Sequence, residues 1–194
     1  MDRTSGKALL EAFHGVVTRG TPQLVLISGY SGVGKSSVVK ELHKAIALPR
    51  GIFISGKFDH YQRDIPYSTL AQTFKTLVCQ ILSKNEAEVE RWRDAIRDAV
   101  GLNGQLVVNL IPELELVIGK QAPVTELLPQ GAQNRFQAVL RAFLGIFARK
   151  EHPLVLFLDD LQWLDAASLQ LLEHLVTHPD VRHLLLIGAY RDNE

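Results

Sequence analysis

The chain has a single cysteine, Cys79, in 194 residues. No intramolecular disulfide can staple it, which fits a reducing compartment. Cys79 reads as part of an apolar helical face and is expected to serve as a small core residue. Charge of one sign is not in excess, because 21 Lys and Arg balance 21 Asp and Glu and the two signs are interspersed. With no basic stripe there is no strong nucleic-acid signal. No apolar stretch approaches the roughly 18 residues that a membrane span needs, and no signal peptide opens the chain. A cytoplasmic segment with no membrane partner is the expectation. Internal repeats and low-complexity tracts are also missing. Histidines are scattered. His174 and His178 are four apart on one helix, but Leu175 stands where a zinc-protease motif needs glutamate, so a solvated helix face is expected there. What remains is 46% hydrophobic residues in a chain long enough to bury one substantial core.

The most informative segment is Gly29-Tyr30-Ser31-Gly32-Val33-Gly34-Lys35-Ser36, which fits G-x-x-x-x-G-K-[ST] at every required position. Glycines let successive backbone N–H groups turn inward around phosphate oxygens, and the lysine reaches the β- and γ-phosphates. The serine hydroxyl ligates Mg²⁺, and the following helix points its positive end at the anion. By composition alone this pattern arises in roughly one chain in a hundred of this length, so its context matters. Gln23 to Ser28 is a short, nearly all-apolar run, as expected for a parallel strand buried on both faces. After the loop, Val38, Val39, Leu42 and Ile46 share a helical face that Pro49 and Gly51 end. The nucleotide-binding positions are therefore Gly29 through Ser36 together with Ser37. Two neighbouring motifs are excluded: a nucleophile elbow around Ser31 needs glycine at Val33, and a dinucleotide fingerprint from Gly32 needs glycine at Ser37.

A second signal is the run Pro153 to Leu158 ending in Asp159-Asp160. In open α/β sheets, ligands bind beyond the carboxyl ends of strands. Asp159 is placed to hold the Mg²⁺ shell through water, and Asp160 to orient the attacking water. Metal-binding positions are thus Ser36 and Asp159. Lys57 and Asp59 stand at the end of a second short strand read over residues 51–58, where either a nucleotide contact or a turn salt bridge fits.

Elsewhere the periodicity predicts helices over 7–19, after Pro66, over Glu86 to Val100 and over Gln133 to Lys150. Residues 101–132, broken by Pro112, Pro123 and Pro129, read as short helices and loops. Asp165 is expected to cap a further helix, and His183 to Tyr190 to form the last strand. The fold class is α/β: a P-loop NTPase with a parallel sheet sandwiched by helices, in a single domain over 1–194. Only four good strand candidates precede Glu194, so a last core strand and a lid are expected beyond it.

Gly29 to Ser36, Gly56-Lys57-Phe58-Asp59, Asn134-Arg135-Phe136, Leu158-Asp159-Asp160-Leu161-Gln162-Trp163-Leu164-Asp165 and the closing Gly188 to Glu194 together resemble the AAA-type ATPase module of signal-transduction NTPases with numerous domains, the STAND group. The similarity extends to the module in large bacterial multi-sensor kinases, where it lies between a kinase-like domain and sensor or histidine-kinase domains. It runs from about Ala8 onward. Met1 to Lys7 does not reproduce the Tyr-Gly-Arg-Glu-type element that contacts adenine in that family. The resemblance implies an extra strand between the loop strand and the Asp-Asp strand, and an ATP-dependent switch more than a fast enzyme. It also matches Arg191 to the γ-phosphate sensor, so Lys35, Asp160 and Arg191 form the catalytic set. The water-polarising residue of this division is usually glutamate. Aspartate at 160 is one methylene shorter, so slow hydrolysis is expected.

The leading function is therefore a Mg²⁺-dependent, ATP-binding and ATP-hydrolysing regulatory switch that addresses neighbouring kinase or sensor domains, with self-association left open. A P-loop phosphotransferase acting on a small acceptor and a DNA-associated AAA ATPase are the alternatives. A GTPase is disfavoured by the lack of an Asn-Lys-x-Asp segment.

Overall fold

The computed structural model describes residues 3–29 and 51–191. The phosphate-loop positions Tyr30 to Ser37 and the helix expected after them lie outside the described residues. The chain divides into two compact units, residues 1–69 with 147–194, and residues 70–146.

The first unit is built on a parallel sheet of β1 (Gln23–Ser28), β2 (Ile52–Lys57), β3 (Leu154–Asp159) and β4 (Leu184–Tyr190). Strand order is β1-β4-β3-β2, with every pair parallel. The extra strand expected between the loop strand and the Asp-Asp strand is thus β4. Leu154 to Leu158 and Leu184 to Ala189 are buried without interruption, because the two central strands are covered on both faces. Side-chain alternation divides them. Val155, Phe157, Leu185, Ile187 and Ala189 pack against Leu9, Phe13 and Val16 of α1 (Arg3–Arg19). Gly188 points the other way, where a Cβ would run into Leu161 and Leu26; glycine is what lets those side chains cross β4.

Strand β1 departs from expectation. Its residues alternate between half-buried and exposed, with Leu24 48% and Leu26 57% exposed. It is an edge strand that turns Val25 and Ile27 toward α1. Leu24 and Leu26 line an apolar groove of about 260 Å³ shared with Leu164, Leu169 and Leu172. An all-apolar run does not guarantee burial on both faces once the strand lies at an edge.

Residues 70–146 are helical. They include most of α2 (Ser68–Leu82), then α3 (Glu86–Val100), α4 (Gly104–Leu110), α5 (Glu115–Ile118) and most of α6 (Pro129–Phe147). Asn85 caps the start of α3: its side-chain carbonyl accepts the Glu88 amide at 3.0 Å and its side-chain NH2 donates to the Glu88 carboxylate at 2.7 Å. Arg97 donates from Nε and Nη2 to the carbonyl of Ile118, at 2.9 and 2.6 Å, satisfying the open end of the one-turn α5. Residues 101–128 form short helices and loops, as the prolines predict, while residues 129–132 belong to α6. Helix α6 begins at Pro129, ahead of the periodic run, because proline suits the first turn of a helix.

Cys79 is exposed, contrary to the expectation of a core residue. The buried stripe of α2 is Leu70, Phe74, Leu77, Val78 and Ile81. At about 100° per residue, position 79 falls nearly opposite the middle of that stripe.

Candidate functional site at the carboxyl edge of the sheet

Because all four strands are parallel, their carboxyl ends share one edge. Gly29 follows β1 there at φ 152°, a backbone region that favours glycine. Lys57 closes β2 and stands in register with Asp159, the last residue of β3. Tyr190 closes β4 in register with Ser28, and Arg191 follows it. The structure therefore brings Gly29, Lys57, Asp159, Asp160 and Arg191 to a single edge.

Asp160 is the centre of this cluster. Its side chain is only 8% exposed, and its backbone is left-handed at φ 55° and ψ 48°, a conformation that Asp and Asn adopt more readily than most residues. The Arg191 guanidinium forks onto it, Nε to Oδ1 at 3.2 Å and Nη2 to Oδ2 at 3.4 Å. Lys57 Nζ lies 3.3 Å from Oδ2, and Gln162 Nε2 donates to Oδ1 at 3.3 Å. A buried carboxylate with two cations is stable where a lone one is not. Stripping a buried pair of one partner costs about 3–5 kcal/mol in a dry interior, and less when the partners reach solvent. Here Lys57 is 67% exposed and Arg191 31%.

Asp159 is half-buried and accepts the Asp160 amide at 2.9 Å. Asp59 caps the short turn His60–Gln62 by accepting the Tyr61 amide at 2.9 Å. It makes a turn, and Lys57 makes an ion pair. Next to them, His60 meets Trp163 edge-on, ring centroids 4.7 Å apart, tying the segment after β2 to the segment after β3. No sequence signal marked this pairing, since the two rings are a hundred residues apart.

Asp165 caps α7 (Ala166–Thr177), accepting the Ser168 amide at 2.8 Å. Replacing it with alanine is expected to cost about 1 kcal/mol, lowering the melting temperature by about 2–4 °C. Thermal unfolding should show the loss for Asp165→Ala and little of it for Asp165→Ser. Tyr67, at φ 62°, has its phenol pKa raised, first by burial and second by the Asp165 carboxylate, so it keeps its proton through the neutral range. His174 and His178 are half-buried, with ring centroids 5.0 Å apart, and His178 Nδ1 lies 3.6 Å from Asp180. Among the described residues no group of three or more His, Cys, Asp or Glu could hold a metal ion.

A parallel sheet with this strand order, a sequence fitting G-x-x-x-x-G-K-[ST] after β1 and an acidic pair at the end of β3 fit a P-loop NTPase of the AAA type. Comparison with known proteins agrees. A family model described as "AAA ATPase domain" matches residues 4–187, and the chain belongs to that family. It is 36% identical over 160 residues to "Hybrid signal transduction histidine kinase G" of Dictyostelium discoideum, covering 82% of this chain and 5% of that protein. It is 29% identical over 163 residues to "Histidine protein kinase 1" of Candida albicans, covering 77% of this chain and 7% of that protein. The chain thus spans a small fraction of either relative's length. No helix among the described residues is long and apolar enough to cross a membrane.

Proposed function

We propose that this chain is a Mg²⁺-dependent, ATP-binding and slowly ATP-hydrolysing switch module of the STAND type, working in the cytoplasm within a multidomain signalling protein. The observation that carries the reading is the ion cluster Lys57–Asp160–Arg191, formed at the sheet edge where the loop motif begins. The names of the relatives support a setting beside kinase domains, with sensor domains a further proposed neighbour.

In this reading, residues 29–37 cradle the phosphates through backbone amides, and Lys35 neutralises the β- and γ-oxygens. Ser36 and Asp159 would hold Mg²⁺. A half-buried carboxylate and a hydroxyl are hard oxygen donors, and Mg²⁺ is suited by few protein ligands and retained water. When bound, the ion supplies charge neutralisation along the phosphate chain. Asp160 orients the attacking water. Arg191 extends from the strand beside β1 and reads the γ-phosphate, so that its loss on hydrolysis changes which partners the guanidinium keeps. With aspartate at position 160, turnover is slow, and occupancy more than flux is the output.

Titration of the chain with Mg·ATP and Mg·GTP, followed by phosphate release with and without DNA and with small hydroxyl acceptors, tests this reading. Saturable binding that prefers ATP, with slow release unaffected by DNA or acceptor, is expected. Release that depends on DNA or on an acceptor would move the protein to one of the alternative classes. Absence of nucleotide binding would end the reading.

A further inference from the structure

We infer that Gln162 is an autoinhibitory donor: its side-chain amide occupies the position on Asp160 that the attacking water has to take. The inference rests on the nucleotide reading above and concerns a restraint on that same site.

The acceptor positions of the carboxylate lead to it. An ionised carboxylate offers about four lone-pair sites. Among the described residues, donors meet both oxygens twice. Arg191 Nε and Gln162 Nε2 lie on Oδ1 at 3.2 and 3.3 Å, and Lys57 Nζ and Arg191 Nη2 on Oδ2 at 3.3 and 3.4 Å. A water that gives a proton to Asp160 needs one of those positions. Arg191 has no need to vacate its own, since a guanidinium carries several N–H groups and can serve a phosphate with the others.

Charge decides which donor yields. Asp160 is only 8% exposed, so putting water in place of either cation strips positive charge from a buried carboxylate. Putting water in place of the amide exchanges one neutral donor for another and leaves the charges as they were. Chemistry also fixes which end of the amide faces Asp160, because an ionised carboxylate only accepts.

The fold lets this side chain go without disturbing its turn. Gln162 lies in the short turn Leu161–Trp163. Main-chain bonds hold that turn, from the Trp163 amide to the Asp160 carbonyl and from the Leu164 amide to the Leu161 carbonyl, both at 3.0 Å. The Leu161 side chain lies against Gly188, and the Trp163 ring meets His60. None of these anchors uses the half-buried Gln162 side chain. A change of its rotamer therefore frees Oδ1 while the backbone stays in place.

Equilibrium Mg·ATP binding and single-turnover phosphate release on the full chain test the inference, with the Gln162 side-chain amide signals followed by NMR. The set is wild type, Gln162→Met, Gln162→Lys, Lys57→Met, Asp160→Asn, and Gln162→Met in an Asp160→Asn background. Gln162→Ala replaces the methionine variant should that one not fold. Gln162→Met is expected to keep Mg·ATP affinity and to release phosphate roughly fivefold faster, the factor that one net hydrogen bond supplies. Gln162→Lys should release it more slowly than wild type, because an ammonium holds the position against water. In the Asp160→Asn background the Gln162 change should be silent. Without nucleotide, the amide signals, assigned by their loss in Gln162→Met, should shift in Asp160→Asn. An unchanged or lower rate in Gln162→Met would overturn the inference, since the amide would then be idle or would hold Asp160 in place for the reaction. A rate that rises in Lys57→Met alone would overturn it too, as would amide signals indifferent to Asp160→Asn. A wild-type chain that binds no nucleotide rejects the function itself, and the amide signals, read without nucleotide, keep that failure apart from this one.

Discussion

Lys35→Ala is expected to weaken Mg·ATP binding by about a hundredfold or more. On the proposed reading, the Lys35 ammonium is the compact charge that meets the β- and γ-phosphate oxygens. Each hydrogen bond to a charged group contributes about 1.5–3 kcal/mol, and every 1.4 kcal/mol is tenfold in affinity. Losing two such bonds therefore accounts for the predicted loss without any change in fold. Isothermal titration or a fluorescent-nucleotide displacement assay measures it directly. Lys35→Arg should recover only part of the affinity, because a planar guanidinium and a compact ammonium are not interchangeable against phosphate. Unaltered affinity in Lys35→Ala would mean that the triphosphate does not occupy the loop.

Asp160→Asn carries the second large effect. Turnover should fall about a hundredfold, the contribution typical of a positioned general base, while Mg·ATP affinity stays near wild type. Asparagine is the informative substitution because the backbone here is left-handed, at φ 55°. Asn tolerates that region, and alanine would add backbone strain to the loss of charge. The structure also sets a condition on the chemistry. Both oxygens of Asp160 are engaged, by Arg191, Lys57 and Gln162. On the proposed function, orienting a water requires one of these partners to give way at the carboxylate. Single-turnover phosphate release beside equilibrium binding separates the two effects. Unchanged turnover in Asp160→Asn would remove the residue from the hydrolytic step.

Much of this architecture is legible in local pattern. β3 and β4 are continuous apolar runs because central strands are covered on both faces, and their ends were evident from Asp159 and from Tyr190-Arg191. The caps at Asn85 and Asp165 follow from side-chain chemistry within three residues. Cys79 shows where local reading needs more care: it neighbours Val78 in sequence, yet one position rotates it about 100° away from the buried stripe. β1 shows where it gives out, since the exposure of Leu24 and Leu26 depends on the strand lying at an edge.

What the sequence by itself determined is a set of local motifs: a loop fitting G-x-x-x-x-G-K-[ST], an acidic pair at a strand end and an arginine after the next strand. Each is written in contiguous residues whose spacing obeys the short-range geometry of a turn, a helix or a pleat. Only the tertiary structure decided which of these charges meet. Whether the cation of residue 57 and that of residue 191 converge on one carboxylate depends on β3 lying between β2 and β4. That adjacency is set by the pairing of β2 with β3, about a hundred residues further on, and of β3 with β4, and it joins separate motifs at one carboxylate.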